Sequence, residues 1–211
     1  MSFETREVDE AICLRDVASF FKRTGDRAVL TLLDSSEKVL DLDVSDPGDA
    51  PGLYRMNFHV YDAKRELLYF EITGYHYAGL AVFDRKTGSG VGMNDTPAFS
   101  GIEMLAVSMG APDGGLATLH DFEIFDFSTR PLRKVFTCTT SYYGQAHVSA
   151  KEPLCYSSEI SGWLTNPSWR GSDVITFDYT RVSDNTVIRD YAEARLVAGA
   201  WRVEILKKEA P

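Results

Sequence analysis

The chain has 211 residues, 44% hydrophobic and 12% aromatic, so it can bury a sizeable core and is too rich in rings for a disordered chain. Its net charge of −9 argues against nucleic acid or an anionic membrane as a partner and favours a basic one. No stretch reaches the ~20 apolar residues that cross a bilayer, and the charged N-terminus is unlike a secretory signal. We therefore expect a cytoplasmic protein.

The first predicted element is one short helix over about residues 7–23. Apolar residues from Val8 to Phe21 recur near helical spacing. Lys22 and Arg23, followed by Gly25, are typical of a helix C-terminus. We expect this helix to cover one end of a sheet array.

Four segments then share one pattern, in which an apolar run ends in Asp and Ser or Thr follows within three positions. The segments are TLLDSS, LAVFDRKTG, FEIFDFST and VITFDYT, with Asp34, Asp84, Asp126 and Asp178. Each leads into a second strand-like run, so each predicts a hairpin whose turn is stabilised by a carboxylate bonded to the backbone. The pattern recurs at intervals of about 40–50 residues, the period of propeller blades.

Residues 59–88, HVYDAKRELLYFEITGYHYAGLAVFDRKTG, resemble a blade of a β-propeller. The Asp at the end of the first strand, the LLYF strand and the GLAVFDRKTG hairpin carry the resemblance. It implies an architecture and assigns no functional residue, and no WD or kelch signature is present.

The sequence therefore predicts a single, mainly antiparallel all-β domain over 1–211, a propeller-like array of about four hairpin-based units. The expected units cover about residues 26–55, 56–100, 101–145 and 146–207. The alternating run AWRVEIL at 200–206 predicts a last strand that pairs with an N-terminal strand. A curved β-sandwich or barrel is the alternative.

The glycine-rich stretch GLAVFDRKTGSGVG at 79–92 raises the question of a phosphate-binding loop. Its G-x-G-x-G spacing is not the dinucleotide fingerprint, and no helix pattern follows to offer an N-terminus to a phosphate. The stretch instead predicts a tight turn and an outgoing strand, and no cofactor is expected.

The cysteines and histidines predict neither a metal site nor a catalytic residue. An odd number of cysteines without CxxC spacing argues against a disulfide framework, and buried thiols are expected, although a bridge between Cys138 and Cys155 stays open. The four histidines form no local metal-binding motif. A Cys138–His147 dyad would need two strands to bring the residues together.

Three aromatic, polar stretches stand out as candidate binding segments. Tyr and Trp offer large contact area at low entropic cost and dominate binding hot spots, whereas the competing interpretation is that these rings cover the edge of the core. The candidate partner-binding residues, in stretches expected to be loops, are Tyr75, His76, Tyr77, Tyr142, Tyr143, Trp163 and Trp169.

These features favour a non-catalytic protein-binding module, such as a bacterial immunity or inhibitor protein that neutralises a basic toxin or enzyme. The alternative is a hydrolase or lyase acting on a sugar or small molecule in a pocket at the end of the sheets, with acid–base work by His76, His120 and His147. A structural subunit of a fixed oligomer is a third hypothesis.

Overall fold

The computed structural model describes residues 10, 12–44, 54–74, 77–102, 104–110, 122–138, 162–183 and 186–206. Within these ranges the chain forms fifteen β-strands and a short 3₁₀ helix, Leu14–Val17, which follows α-helical residues at Glu10, Ile12 and Cys13. The predicted all-β class is confirmed. In these ranges no helix has the length and apolar character needed to cross a membrane.

The strands form four antiparallel sheets, and in each sheet consecutive strands pair. The first sheet contains β1 (Phe21–Thr24), β2 (Arg27–Thr31) and β3 (Glu37–Asp41). The second contains β4 (Tyr54–Asp62), β5 (Leu67–Gly74), β6 (Tyr77–Asp84) and β7 (Gly90–Met93). The third contains β8 (Ala98–Phe99), β9 (Leu105–Met109), β10 (Phe122–Asp126) and β11 (Arg133–Cys138). The fourth contains β12 (Gly162–Arg170), β13 (Val174–Ser183), β14 (Thr186–Val197) and β15 (Ala200–Leu206).

This succession of four meanders agrees with the predicted propeller-like array. None of the four sheets closes into a barrel within the described part of the chain. The described strands divide between two compact units, one with β1–β7 and residues Arg130–Leu132, the other with β8–β15. The single domain over 1–211 stays a prediction.

Each unit has its own apolar core. In the first, side chains of the two sheets meet around three aromatic rings, and Phe21 stacks on Phe58 with ring centroids 5.7 Å apart while Phe70 lies 5.5 Å from Phe21. In the second, Phe122 and Phe177 hold the corresponding place, with centroids 4.6 Å apart. Rings tilted at these distances contribute beyond their buried area, so the aromatic residues fix how the sheets pack within each unit.

Two central strands are buried on both faces. Leu67, Leu68, Tyr69 and Phe70 are consecutive residues of β5 and all are buried. All five residues of β10 are buried as well. Because side chains alternate between the two faces of a strand, four or five buried residues in a row require cover on both sides. The blade-like LLYF pattern therefore corresponds to a strand that is buried on both faces, as an inner strand of a propeller blade is.

Three of the four predicted aspartate turns are confirmed. Asp34 accepts hydrogen bonds from the backbone N–H of Ser36 at 2.9 Å and from its hydroxyl at 2.6 Å. Asp126 accepts the same two bonds from Ser128, at 2.8 and 2.5 Å. In this arrangement the carboxylate replaces a backbone partner in the turn, so the run of strand residues ends where Asp occurs.

The Asp84 turn is buried and has a further partner. Asp84 is fully buried and accepts hydrogen bonds from the N–H of Lys86 at 3.1 Å and the hydroxyl of Thr87 at 3.1 Å. The Nε of Arg130 lies 2.5 Å from the same carboxylate. A buried carboxylate is tolerated when its lone pairs are satisfied in this way, and here backbone, hydroxyl and guanidinium all contribute.

The prediction for the fourth aspartate is wrong. Asp178 lies in the middle of β13, exposed, with Phe177 and Tyr179 buried on either side of it. The residues before Asp178 belong to a strand whose side chains alternate between the core and the outer face. Asp178 occupies one of the outer-face positions. An apolar run followed by Asp can therefore either end a strand or continue it. Alternation of apolar and polar residues after the Asp indicates that the strand continues.

The predicted helix ends before residue 23. Val17 is the last residue of the 3₁₀ helix, and Phe21–Thr24 form β1, which pairs with β2. Gly25, at φ 61°, is a turn residue between Thr24 and its partner Arg27, where the sequence predicts a helix end. Glycine with positive φ serves both purposes, so tertiary pairing decided between them.

The glycine-rich stretch is the predicted turn and outgoing strand, because Gly88 closes the β6–β7 hairpin and Gly90 lies opposite Phe83. A Cβ on Gly88, which has φ +67°, would lie 2.6 Å from Cδ of Lys38. We expect Gly88→Ala to lower the free energy of unfolding by about 1–3 kcal/mol through backbone strain and overpacking. Gly92→Ala is the matched control, since nothing lies within 4 Å of its added Cβ.

Chemical denaturation of both variants measures the difference. Equal unfolding midpoints for Gly88→Ala and Gly92→Ala would contradict the close approach at Gly88.

Asp126 gives the fold a dependence on pH. Burial works to raise the pKa of Asp126, but hydrogen bonds from Ser128, Arg133 and Thr129 outweigh it, so the pKa lies below its usual range. A carboxyl with a lower pKa in the folded state adds stability above its unfolded pKa, and this stability is lost as pH falls through the folded pKa. We expect Asp126→Asn to cost about 1–2 kcal/mol at pH 7 and much less near pH ~3.

Urea denaturation at the two pH values tests this expectation, with Asp173→Asn as an exposed, charge-matched control. A cost of Asp126→Asn that is the same at both pH values would rule out the electrostatic contribution.

Candidate functional site

Most of the predicted binding residues have no described side chain. Tyr77 begins β6 and Trp163 is the second residue of β12. The predictions for the other stretches lie outside the described residues, and they concern Tyr75, His76, Tyr142 and Tyr143. The partner-binding role of all these residues stays a prediction.

Trp169 packs against the second core. Its ring is half-buried, its Nε1 donates a hydrogen bond to the carbonyl oxygen of Ala98 at 2.8 Å, and it meets Trp201 edge-on with centroids 6.0 Å apart. These contacts use the indole N–H and one side of the ring, so they explain the residue without a partner.

The segment from Trp163 to Trp169, expected as a loop, is part of strand β12. Its register with β13 shifts between Thr165 and Ser168, which pair with Asp178 and Thr176. The shift is a β-bulge that holds the turn-like residues Asn166, at φ 53°, and Pro167. The turn residues in the sequence therefore mark a bulge inside a strand, which is one of their two common uses.

A depression of about 410 Å³ lies on the outer face of β12, β13 and β14. This volume falls within the range of small-ligand sites and also suits one long side chain of a protein partner. Its lining residues are Thr165, Asn166, Asp178, Thr180, Arg189, Asp190 and Tyr191.

The lining follows two rows across the strands. In the first row Asp178 pairs with Thr165 on one side and Tyr191 on the other. In the second row Thr180 pairs with Arg189. Residues directly opposite each other project from the same face, so the depression has an acidic and aromatic row beside a basic one.

Asp178 is oriented by the bulge. The side-chain amide of Asn166 donates a hydrogen bond to Oδ2 of Asp178 at 2.7 Å. Asn166 can do so because its left-handed backbone, which asparagine tolerates better than most residues, places it at the bulge beside β13. Asp178 is therefore an exposed carboxylate held by one neighbour.

Tyr191 supplies the largest apolar surface of the depression. It is 46% exposed although it lies in the middle of strand β14, and it pairs directly with Asp178 of β13. A tyrosine ring next to a carboxylate can hold the stem of a Lys or Arg side chain and bind its charged end. The site can therefore bind a cation.

The sequence contained this site only in part. The run NTVIRDY, which follows the Asp178 segment, predicts a strand, but the sequence alone does not single out Arg189 and Tyr191 as functional residues. The signal was the period-two alternation of β14, which buries Asp190, Ala192 and Ala194 and leaves the odd-numbered residues on the outer face.

The metal-site and histidine hypotheses can be compared with the described part of the chain. No group of three or more His, Cys, Asp or Glu side chains in these ranges could hold a metal ion. His59 is half-exposed, with Nδ1 3.3 Å from a carboxylate oxygen of Glu71. The histidines of the enzyme hypothesis, His76, His120 and His147, lie outside the described residues.

Cys138 differs from the expected free thiol. It is fully buried at the end of β11 and disulfide-bonded, whereas Cys13 is a free, half-buried thiol. Cys155 lies outside the described residues. The expectation that all three cysteines are thiols is therefore wrong for Cys138.

Comparison with known proteins gives no relative from which a function could be transferred. No protein-family model, curated protein sequence or solved structure matches the chain. The function must be argued from the site itself.

Proposed function

We propose that this protein is a non-catalytic binding module that holds a basic protein partner, as a bacterial immunity or inhibitor protein holds its toxin or enzyme. The observation that carries the proposal is the pairing of exposed Asp178 and Tyr191 across β13 and β14 at the outer-face depression. A Lys or Arg side chain of the partner would lie along the ring and bind the carboxylate.

The charge of the whole chain supports the same partner. A net charge of −9 raises the encounter rate with a basic protein, and steering of this kind weakens as salt is added. Arg189, in the adjacent row, would bind an acceptor next to the basic residue of the partner. The site thus favours a basic residue flanked by an acidic or amide one over a uniformly basic surface.

The proposal is tested by a pulldown from native lysate with the wild type, Asp178→Asn and Asp173→Asn as baits, at low and at ~0.5 M salt. We expect one stoichiometric basic protein, bound by the wild type and by Asp173→Asn. Asp178→Asn, which loses the same charge at the depression, should bind it about tenfold or more weakly, as a hydrogen bond to a charged group is lost.

Tyr191→Ala separates the ring from the charge and should weaken binding at both salt concentrations. Retention of the same partner by Asp178→Asn and Tyr191→Ala would remove the depression from the proposal. Failure of every bait to retain a basic protein would remove the function.

We include a cytoplasmic location in this proposal. The disulfide of Cys138 points instead to an oxidising compartment, because disulfides persist there. The redox state of the protein in its native cells decides between the two locations. Thiols are blocked at the moment of lysis, and peptides with Cys13 and Cys138 are analysed by mass spectrometry. From an oxidising compartment we expect a blocked Cys13 and an unmodified Cys138 that reacts only after reduction, whereas immediate blocking of Cys138 would favour the cytoplasm.

A further inference from the structure

Among the strands that the structure describes, β15 is an edge strand that differs from the other edges of the four sheets. It has seven residues and pairs with β14 from Ala200 to Leu206 without a register shift. The other edge strands are two to five residues long or belong to a pair whose register shifts at a bulge. Short edges and bulges prevent further strand pairing, and β15 has neither protection.

The outer face of β15 carries two charges that its own sheet does not balance. Arg202 lies opposite Arg195, and Glu204 lies opposite Glu193. Both residues of β15 are exposed, and the described part of the chain gives neither of them an ion pair. The opposing residues of β14 pair with each other, Arg195 with Glu193, so Arg202 and Glu204 remain available to a partner of opposite charge.

The inner face of β15 is incompletely covered. Trp201, Val203 and Ile205 pack against the second core but remain half-exposed, whereas Ala192 and Ala194 on the same face of β14 are fully buried. Apolar area thus remains exposed to solvent along the edge.

We propose that β15 pairs antiparallel with β15 of a second copy of the chain, about a two-fold axis at Val203, so that two four-stranded sheets form one of eight strands. This interface goes beyond the proposed binding function and uses none of the residues that line the depression. In an isologous interface each contact occurs twice, so one strand must be complementary to itself.

The sequence of β15 meets this requirement. With Val203 opposite Val203 of the second copy, Arg202 faces Glu204 of that copy on the outer face. On the inner face Trp201 faces Ile205 of the second copy, and at the ends Ala200 faces Leu206. Every opposed pair is either apolar with apolar or basic with acidic.

The charges also select this register. Residues that face each other in a continuous sheet lie on the same face, so the neighbouring registers differ by two residues. One of them places Arg202 opposite Arg202 of the second copy, and the other places Glu204 opposite Glu204. Each brings like charges together, so only the register centred on Val203 pairs opposite charges.

The experiment measures the mass of the full chain in solution by light scattering and sedimentation over a concentration series up to about 100 µM, since a dimer depends on protein concentration. We expect a monomer–dimer equilibrium. Arg202→Glu and Glu204→Arg should each raise the dissociation constant about tenfold or more, because each places like charges opposite each other twice. The double variant Arg202→Glu/Glu204→Arg restores opposite charges and should return the constant to near its wild-type value.

The rescue distinguishes the interface from a general loss of folding, which circular dichroism and thermal melting of each variant also monitor. An equimolar mixture of the two single variants should dimerise far more tightly than either variant alone, because in the mixed pair both charge contacts place Glu opposite Arg. A wild-type chain that stays monomeric at about 100 µM overturns the proposal, as does a dimer that both single variants leave unchanged.

Discussion

The fold depends on carboxylates that satisfy the backbone where strands end, and Asp84 is the most demanding case. Its side chain has no access to solvent, yet it follows a buried strand and precedes a turn. The N–H of Lys86, the hydroxyl of Thr87 and the guanidinium of Arg130 together replace the water that it loses. Removal of one partner of such a group commonly costs about 3–5 kcal/mol, more than most single contacts in a domain contribute. The residues Arg130–Leu132 belong to the first compact unit, so this contact lies within that unit.

A second constraint acts through strands that are buried on both faces. The LLYF residues of β5 and all residues of β10 are buried, so neither group has a face open to solvent and every side chain must fit among neighbours. Glu123 in β10 is buried and meets this demand through Lys134, whose Nζ lies 2.7 Å away. The outer face of β12–β15 is the contrast, because its alternation leaves one complete face polar and open. Binding is therefore proposed at the sheet whose sequence retains a free face.

The sequence predicted the elements that rest on local chemistry. Asp34, Asp84 and Asp126 bond to backbone or side-chain groups two or three residues away, so their turns are readable from short stretches. It failed where one pattern has two local solutions and a distant partner decides. Gly25 can end a helix or turn a hairpin, and pairing of β1 with β2 selected the hairpin. Asp178 can end a strand or continue it, and its pairing with Tyr191 could not be known without the register of β13 and β14.

The bulge in β12 sets which sequence changes this sheet can accept. Leu164 and Trp169 both face the second core although they lie five positions apart, an odd spacing that places residues on opposite faces of a regular strand. The extra residue between Thr165 and Ser168 restores the same face. Deletion of one bulge residue would leave the two side chains four positions apart, an even spacing at which a regular strand also keeps them on one face. The single residue then left between Thr165 and Ser168 would lie opposite Phe177 and face the core. The core therefore fits this strand with or without the extra residue. What the bulge adds is a position outside the alternation, from which an asparagine reaches Asp178 on the outer face.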